Sequence, residues 1–222
     1  MLVQSKSASN EYVEAQREHL IRTAIRLFTK KGYHNTTTRE LATACNMSIG
    51  GIYYYIGAKE DIPHLVAQRM IALVDQTTAR LTAELEHFSP TEAFRRSIGI
   101  YYELVDHNRD YWRFMNAETK VFRKKDFDAL YDVHLRKVEY FEKLFERGIQ
   151  AGEFWVRHPA LLARDVTTLF PAWVTRHWLL KGTYRSINEY ARQQTELLLD
   201  AIRIPKGNDS RPAGNGSHEV PK

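Results

Sequence analysis

Residues 32–61 read GYHNTTTRELATACNMSIGGIYYYIGAKED, a stretch that predicts two short helices joined by a turn. Thr37 followed by Glu40 three residues later is the pattern of a capping box, which predicts the start of a helix. Residues 46–48 predict a tight turn, with Ser48 capping a second short helix. Two helices joined in this way form a helix-turn-helix, whose second helix is sized to enter a DNA major groove.

The rest of the sequence carries apolar residues at helical spacing. Upstream, the apolar positions from Leu20 to Phe28 predict a first helix, which Gly32 ends. Downstream we predict six longer helices, and Pro171 should kink the fifth of them. Their approximate ranges are 59–85, 90–105, 110–122, 127–152, 158–182 and 187–204.

The predicted fold class is all-α, because no stretch shows convincing strand alternation. A three-helix N-terminal domain containing the helix-turn-helix spans residues 13–58, and a six-helix C-terminal domain spans residues 59–204. Residues 1–12 and 205–222 are predicted to be disordered tails, since both are rich in small and polar residues.

The composition excludes several classes of protein. The chain has 222 residues, 43% hydrophobic and 27% charged, which is enough to bury a core and excludes disorder throughout. Cys45 is the only cysteine, so no intrachain disulfide can form. The richest apolar run, residues 166–180, is shorter than the ~20 residues that a membrane helix needs. Because residues 1–10 also lack the apolar segment of a secretion signal, we predict a cytoplasmic protein without a membrane partner.

The net charge of +5 is concentrated in one part of the chain. Between Ala15 and Lys59 there are seven basic and two acidic residues, so the remaining sequence is electrically balanced. Localised positive charge suits a polyanion such as DNA, because phosphate neutralisation releases condensed counterions. The alternative is a solvated basic face.

Three features of the helix-turn-helix segment point to function. Gly50 and Gly51 lie inside the predicted third helix, where each costs about 1 kcal/mol relative to Ala. The tyrosines at 53–55 are consecutive, so one helix cannot bury all of them. Lys59 begins a helix, where the macrodipole disfavours a cation unless a phosphate is near. Each has a structural alternative: relief of crowding for the glycines, partial burial for the tyrosines and neighbouring carboxylates for Lys59.

These residues resemble the DNA-binding domain of TetR-family repressors over roughly residues 14–65. The resemblance rests on a glycine that ends helix 1, a Thr-Thr-Arg start of helix 2, a tyrosine-rich recognition helix at 48–56 and a Lys-Glu start of helix 4. Gly51 stands where the family often has Thr or Ser, and Ala58 stands where a capping Ser or Asn is usual. Both departures leave the operator sequence open. The nine-helix order, with a long C-terminal part, also fits the family.

The resemblance implies a DNA-contact role for eleven residues. Arg39 would reach a base edge, most naturally that of guanine, and Tyr54 would reach a base or the backbone. The groove floor would be faced by Ser48, Ile49, Gly50 and Gly51. Phosphates would be bound by Thr37, Thr38, Tyr53, Tyr55 and Lys59.

The resemblance further implies that the C-terminal domain binds a small-molecule effector and dimerises. The last two predicted helices are rich in Leu, Trp and Phe, so they could pack against a second copy as a four-helix bundle. Such a homodimer would place two recognition helices about one DNA turn apart. The alternative is that these apolar stripes belong only to the core of one chain.

Large and partly polar residues of the C-terminal helices are candidates for lining an effector pocket. They are Tyr101, Tyr102, Trp112, Met115, Glu118, Tyr131, His134, Phe170, Trp173 and His177. Their alternative role is ordinary core packing. No cofactor and no metal ion are expected, since the histidines show no ligand spacing and one cysteine cannot build a thiolate site.

Seven basic residues between positions 109 and 137 could serve an anionic effector or form a solvated face; they are Arg109, Arg113, Arg123, Lys124, Lys125, Arg136 and Lys137. Residues 112–120 are also similar to TetR-type regulators of fatty-acid or aromatic-acid breakdown, which respond to acyl-CoA thioesters. This second resemblance covers only a few residues.

The sequence thus predicts a ligand-responsive repressor that binds a palindromic operator as a homodimer and is released by a hydrophobic or anionic effector. Two other classes remain as alternatives, an all-helical enzyme using buried carboxylates and a helical adaptor that binds proteins. The sequence has no phosphate-binding glycine loop, no His-Glu-x-x-His and no Cys-x-x-Cys. Salt-dependent affinity for duplex DNA would separate the repressor from both alternatives.

Overall fold

A computed structural model describes residues 2–180 and 182–204, with side chains described from Glu11 onwards. The described chain contains eleven α-helices, and short 3₁₀ turns at Lys59–Asp61 and Thr119–Val121. The helices are α1 (Leu2–Lys31), α2 (Thr38–Cys45), α3 (Ile49–Ile56), α4 (Ile62–Glu84), α5 (Pro90–His107), α6 (Arg109–Ala117), α7 (Lys124–Gln150), α8 (Pro159–Leu169), α9 (Ala172–Thr175), α10 (His177–Leu180) and α11 (Ile187–Ile202).

All nine predicted helices are present, and the eighth is divided into α8, α9 and α10. Pro171 separates α8 from α9, because proline has no backbone N–H to continue the helix. The predicted disordered start at 1–12 differs from the structure, in which α1 extends back to Leu2. No glycine or proline interrupts residues 2–31, so nothing in that stretch ends the helix. The predicted tail at 205–222 lies outside the described residues.

Local signals account for most helix ends. Thr37 and Glu40 form the capping box of α2, with the Thr37 side chain and the Glu40 carboxylate each bonded to the other's backbone N–H. Gly32 ends α1 at a φ of +86°, a left-handed conformation that glycine adopts without strain. Ser89 and Ser186 cap α5 and α11 through hydrogen bonds from backbone N–H groups three residues on.

The helices enclose two hydrophobic clusters. The N-terminal core joins α1, α2 and α3 to the first half of α4 and to Tyr111 and Phe114 of α6. The C-terminal core lies between α5, α7, α8, α9 and α11 and the end of α4. Trp112 packs against both clusters. The helix-turn-helix domain predicted to end at residue 58 therefore shares its core with two helices of the C-terminal part.

Helix α7 lies parallel to α4 and is bonded to it along its length. Three pairs join side chains separated by 61 or 62 residues: Arg123 with Asp61 at 2.7 Å, Asp126 with His64 at 2.6 Å, and Arg136 with Asp75 through two bonds of 2.8 Å. Near its end, Arg147 of α7 donates to the carbonyls of Leu85, Glu86 and Phe88. These contacts join α7 to α4 from its first residues to its end.

The described part of the chain contains no β-strand, in agreement with the predicted all-α class. An isolated antiparallel bridge joins Phe154 and Arg203. Among these same residues, no helix combines the length and the apolar character needed to cross a bilayer.

Candidate nucleic-acid interface

The helix-turn-helix is held by local polar contacts. Asn46 adopts a left-handed conformation with φ 54° at the end of α2, which turns the chain towards α3. The Ser48 hydroxyl accepts the backbone N–H of Gly51 and caps α3. Lys31 pairs with Glu40, and this contact together with the Thr37 N–H lowers the pKa of the Glu40 carboxyl to about 2. The start of α2 therefore carries a fixed negative charge at neutral pH.

Helix α3 buries one face and exposes the other. Ile52 and Ile56 are buried in the N-terminal core, whereas Ile49 is 43% exposed, Tyr53 is 53% exposed and Tyr54 is 72% exposed. All three side chains thus face away from the N-terminal core, and the Tyr54 ring contacts that of Tyr55, with ring centres 5.0 Å apart. Thr37, Arg39, Ser48 and Gly50 are also exposed, while Thr38 and Gly51 are half-buried.

The two glycines of α3 do not relieve internal crowding. A Cβ added at Gly50 would lie 3.8 Å from the Ser48 Oγ, and one added at Gly51 would lie 3.4 Å from the same atom. Both distances are ordinary van der Waals contacts, so the fold would accept alanine at either position. The structural explanation of this pair is therefore wrong. A close approach of an external surface to this helix remains the explanation that fits both positions.

Lys59, predicted as a phosphate contact, has partners within the protein. Its ammonium donates to the carbonyls of Tyr33 at 3.0 Å and Thr36 at 2.8 Å, and it lies 4.5 Å from the centre of the Tyr33 ring. These contacts fix the loop between α1 and α2 against the start of α4. Lys59 therefore positions the loop that presents Thr37 and Arg39.

Tyr55, also predicted as a phosphate contact, is less exposed than the other two tyrosines. It is half-buried and packs against the N-terminal core, and its carbonyl accepts a 2.9 Å hydrogen bond from Arg17 Nε. The exposed phenols of the predicted trio are those of Tyr53 and Tyr54.

Four of the seven basic residues between Ala15 and Lys59 form ion pairs with carboxylates of the same chain. Arg17 and Arg22 pair with Glu14 and Glu18 of α1, and Lys31 pairs with Glu40. Arg26 reaches Asp110 of α6 at 3.4 Å. In contrast, within residues 11–180 and 182–204 no ion pair or side-chain hydrogen bond engages the exposed Arg39 guanidinium. The charge surplus by itself therefore overstates the cations that are free on this surface.

Helix α6 connects the C-terminal part to the helix-turn-helix. Glu118, just after α6, accepts the backbone N–H of Tyr33 at 3.0 Å, and the Tyr111 hydroxyl donates to Glu18 of α1 at 2.9 Å. Sequence reasoning assigned Glu118 to an effector pocket. The structure instead gives it a contact with the loop that precedes α2.

In the described part of the chain, the ten predicted pocket residues are divided between the two cores and the surface. Four of them, Tyr101, Tyr102, Phe170 and Trp173, are buried in the C-terminal core, where Phe170 packs on both tyrosine rings and Trp173 stacks on Tyr190. Trp112 and Met115 pack against the N-terminal core, and Tyr131 is 55% exposed. His177 is half-buried with its ring 5.3 Å from that of Trp173, and His134 is half-buried on α7. The aromatic volume is filled by mutual packing, which spacing along single helices does not reveal.

A surface groove of about 440 Å³ lies between α4 and α7 and is lined by other residues. Its walls include Thr78 and Leu81 of α4 and Tyr140 and Leu144 of α7. The Thr78 hydroxyl is 2.6 Å from that of Tyr101, so the groove adjoins the aromatic core.

The structure also distinguishes Lys137 from the other basic residues predicted between positions 109 and 137. Lys137 is only 4% exposed, whereas Lys124, Lys125 and Arg136 of the same helix are exposed. A sequence signal was present, because position 137 lies four residues after Val133 and four before Phe141, on the buried stripe of α7.

Several apolar side chains of the last helices are exposed in the single chain. Leu161 of α8 is 57% exposed, Trp178 and Leu179 of α10 are 73% and 63% exposed, and Leu197 of α11 is 70% exposed. Contiguous exposed apolar patches are typical of protein–protein interfaces. Across the described residues, no group of three or more His, Cys, Asp or Glu could hold a metal ion.

Comparison with known proteins covers both halves of the chain. The profile of the family described as bacterial regulatory proteins, tetR family, matches residues 20–64, and that described as tetracyclin repressor-like, C-terminal domain, matches residues 87–202. The HTH-type transcriptional regulator HbdR of Aromatoleum sp. (strain CIB) is 27% identical over 205 residues, covering 92% of this chain and 88% of HbdR.

Two solved structures show the same fold. A bacterial regulatory protein in the tetR family from Rhodococcus RHA1 superposes with a TM-score of 0.74 at 23% identity, covering 86% of this chain and 98% of that one. AibR, solved in complex with isovaleryl coenzyme A and operator DNA, superposes with a TM-score of 0.67 at 19% identity, covering 82% of this chain and 97% of that one.

Proposed function

The chain belongs to the TetR family of bacterial regulatory proteins, and from that premise we propose that it is a transcriptional repressor that binds a palindromic operator as a homodimer and is released by a small effector. The protein is not an enzyme in this proposal. It acts in the bacterial cytoplasm, associated with the nucleoid.

The observation that carries the proposal is the exposed face of α3. Ile49, Tyr53 and Tyr54 project from a helix whose glycines leave room for closer approach, and the unpaired Arg39 lies on the preceding helix. Such a surface offers an apolar contact for a thymine methyl, phenols for phosphates and a guanidinium for guanine. Lys59 and Tyr55 act by holding this surface in place.

The exposed apolar residues of α8, α10 and α11 support the homodimer. We propose that they pack against the same helices of a second copy, as in a four-helix bundle. The pairing would set the two α3 helices at the half-site spacing of about one DNA turn. Without it, each recognition helix would bind its half-site alone.

Release would follow from a shift of α4. Its first residues belong to the N-terminal core, and α7 is bonded to it by three side-chain pairs and by Arg147. An effector that prefers one arrangement of α7 and α4 would change the spacing of the recognition helices. Because AibR was solved with isovaleryl coenzyme A, an acyl-CoA thioester is one candidate effector among hydrophobic and anionic molecules.

The direct test is selection of bound fragments from random duplex DNA by the purified protein. We expect a palindromic consensus whose half-sites are about one turn apart, and an affinity that falls steeply with salt. Arg39→Ala provides the matched control, since it should lose the preference at one base per half-site while remaining dimeric. Recovery of no consensus, or binding insensitive to salt, would contradict the proposal.

A further inference from the structure

Lys137 of α7 is a charged residue buried without a counter-ion. It is 4% exposed, and its neighbours are the rings of Tyr101 and Phe170, whose centres lie 5.9 Å and 5.7 Å from its ammonium. Throughout the part of the chain that the structure describes, no carboxylate pairs with it. A lysine is rarely buried in this way unless a partner neutralises it.

The Lys137 ammonium stays charged although it is buried between aromatic rings. Burial lowers the pKa of Lys137 to about 8, so it is still mostly protonated at neutral pH. The cation–π contacts with Tyr101 and Phe170 offset only part of the desolvation, because both lie near the outer limit of about 6 Å. The folded chain thus holds an unbalanced positive charge beside an aromatic core.

His134 is a titratable neighbour of Lys137, and it lies near a second cation, Arg164. His134 lies one turn earlier on α7, and burial together with the charges of Lys137 and Arg164 lowers its pKa to about 4. His134 is therefore neutral at pH 7, and Arg164 of α8 faces it with a second cation. The hydroxyl of Tyr101 is bonded to Thr78 and offers no anion.

The groove between α4 and α7 approaches this charge through Tyr101. Thr78 lies in the groove wall and is bonded to the Tyr101 hydroxyl, and the Tyr101 ring faces the Lys137 ammonium. Tyr101 therefore connects the groove with the buried cation. Because Tyr101 is 1% exposed and packs on Phe170, a ligand reaches Lys137 from the groove only by displacing this ring.

We propose that Lys137 is the recognition point for the carboxylate of an amphipathic organic acid whose apolar body packs against Tyr101 and Phe170. This inference rests on the proposed function and names the chemical class of its effector. The charge on Lys137 selects an anion, and the surrounding rings select a hydrocarbon or aromatic body.

The position of Lys137 links such a ligand to DNA binding. Its neighbour Arg136 holds Asp75 of α4 through two hydrogen bonds of 2.8 Å. A carboxylate drawn to Lys137 between α7 and α8 would shift α7 and, through this pair, α4. The ligand would thereby favour one of the two arrangements of the recognition helices.

The test uses decanoate, 3-phenylpropanoate and benzoate as probes, with their primary amides and decanoyl-CoA as comparison arms. The readouts are the Tm of the full-length protein and the Kd of the selected operator, each with and without probe. We expect at least one acid to raise the Tm and to weaken operator binding by about 5- to 150-fold, and its amide to do neither.

Variants of α7 separate a binding role from a structural one. Lys137→Met should lose both responses and should have a higher Tm than the wild type without probe, because an unpaired buried charge has been removed. Lys125→Met, at an exposed position of the same helix, should respond as the wild type does. Operator binding without probe tests the proposed function separately.

Several results would overturn the inference. They are an unchanged response of Lys137→Met, equal effects of acid and amide, a response to decanoyl-CoA alone, or no response to any acid. A lower Tm of Lys137→Met would also overturn it, since the ammonium would then be part of the stabilising core.

Discussion

At the scale of single residues, the side chains facing outward from the helix-turn-helix differ from those that hold it together. Arg39, Tyr53 and Tyr54 are exposed and contribute little to the core, whereas Lys59 and Tyr55 have internal partners. Substitutions in the first group should change DNA binding at constant stability. Substitutions in the second group should change stability first.

Arg39→Ala should weaken binding to the selected operator by about 1–3 kcal/mol and relax the preference at one base per half-site. The reason is that only a guanidinium bonded to a base edge carries sequence information. Fluorescence anisotropy with single-base operator variants measures both effects. Arg80→Ala, at an exposed position of α4, is the control. Equal losses on operator and random DNA would contradict the assignment.

Gly50→Ala should stabilise the fold while weakening DNA binding. The added methyl fits beside Ser48 and raises helix propensity by about 1 kcal/mol, but it occupies the surface that DNA would approach. Gly99→Ala in α5 is the matched control, because no atom outside its own helix lies within 4 Å of the new Cβ. Denaturant titration and operator titration of both variants test this, and undiminished binding by Gly50→Ala would refute it.

Lys59→Met should lower the free energy of unfolding by about 1.5–3 kcal/mol, the range for hydrogen bonds to charged groups. The change removes the bonds to the Tyr33 and Thr36 carbonyls and keeps most of the side-chain volume. Urea denaturation measures the loss, with the exposed Lys30→Met as control. Unchanged stability with a uniform loss of DNA affinity would instead restore the phosphate-contact role.

At the scale of elements, each helix of the N-terminal part depends on a few polar contacts near its ends. The capping box of α2 is the clearest case, since Glu40 bonds the backbone of Thr37 and pairs with Lys31 at the end of α1. A charge at this point stabilises both the helix start and its attachment to α1.

Because of this cap, the stability of the folded protein depends on pH in the acid range. The folded pKa of Glu40 is about 2, below its ordinary value of 4.5, so its ionised form favours the folded state. The stabilisation is complete above about pH 4.5 and is lost as the pH falls towards 2. The Tm difference between wild type and Glu40→Gln should therefore be positive at pH 6 and vanish near pH 2.

At the scale of the whole molecule, the two cores are joined by α4 and α6, and the last helices carry the exposed side chains of Leu161, Trp178, Leu179 and Leu197. The first feature suits transmission between an effector and the DNA-binding surface. The second suits association of two copies. Both are needed if one ligand is to change how a pair of recognition helices fits an operator.

Leu197→Glu should convert the dimer to a monomer, because a carboxylate would be buried at the interface. Operator affinity should then fall by about 100-fold or more, since the second half-site is no longer held at high effective concentration. Light scattering and operator titration measure the two effects. Phe127→Glu, 54% exposed at the start of α7, is the control. A dimeric Leu197→Glu protein would contradict the proposed interface.

The amino-acid order was sufficient for features whose partners lie within about four residues. The capping box of α2, the Ser48 cap of α3 and the glycine that ends α1 all depend on such neighbours, as does the break at Pro171. The exposed residues of α3 follow equally from local reasoning, because a short helix can bury only one face.

Contacts between distant segments could not be read in this way. Lys59 meets carbonyls 23 and 26 residues away, Glu118 meets Tyr33 across 85 residues, and Lys137 loses its solvent only when α5 and α8 close over α7. Which faces of the long helices meet depends on the fit of many side chains at once. Periodicity identifies a buried stripe, but it does not show which helix packs against that stripe. The contacts of these three charged residues are therefore defined only by the tertiary structure.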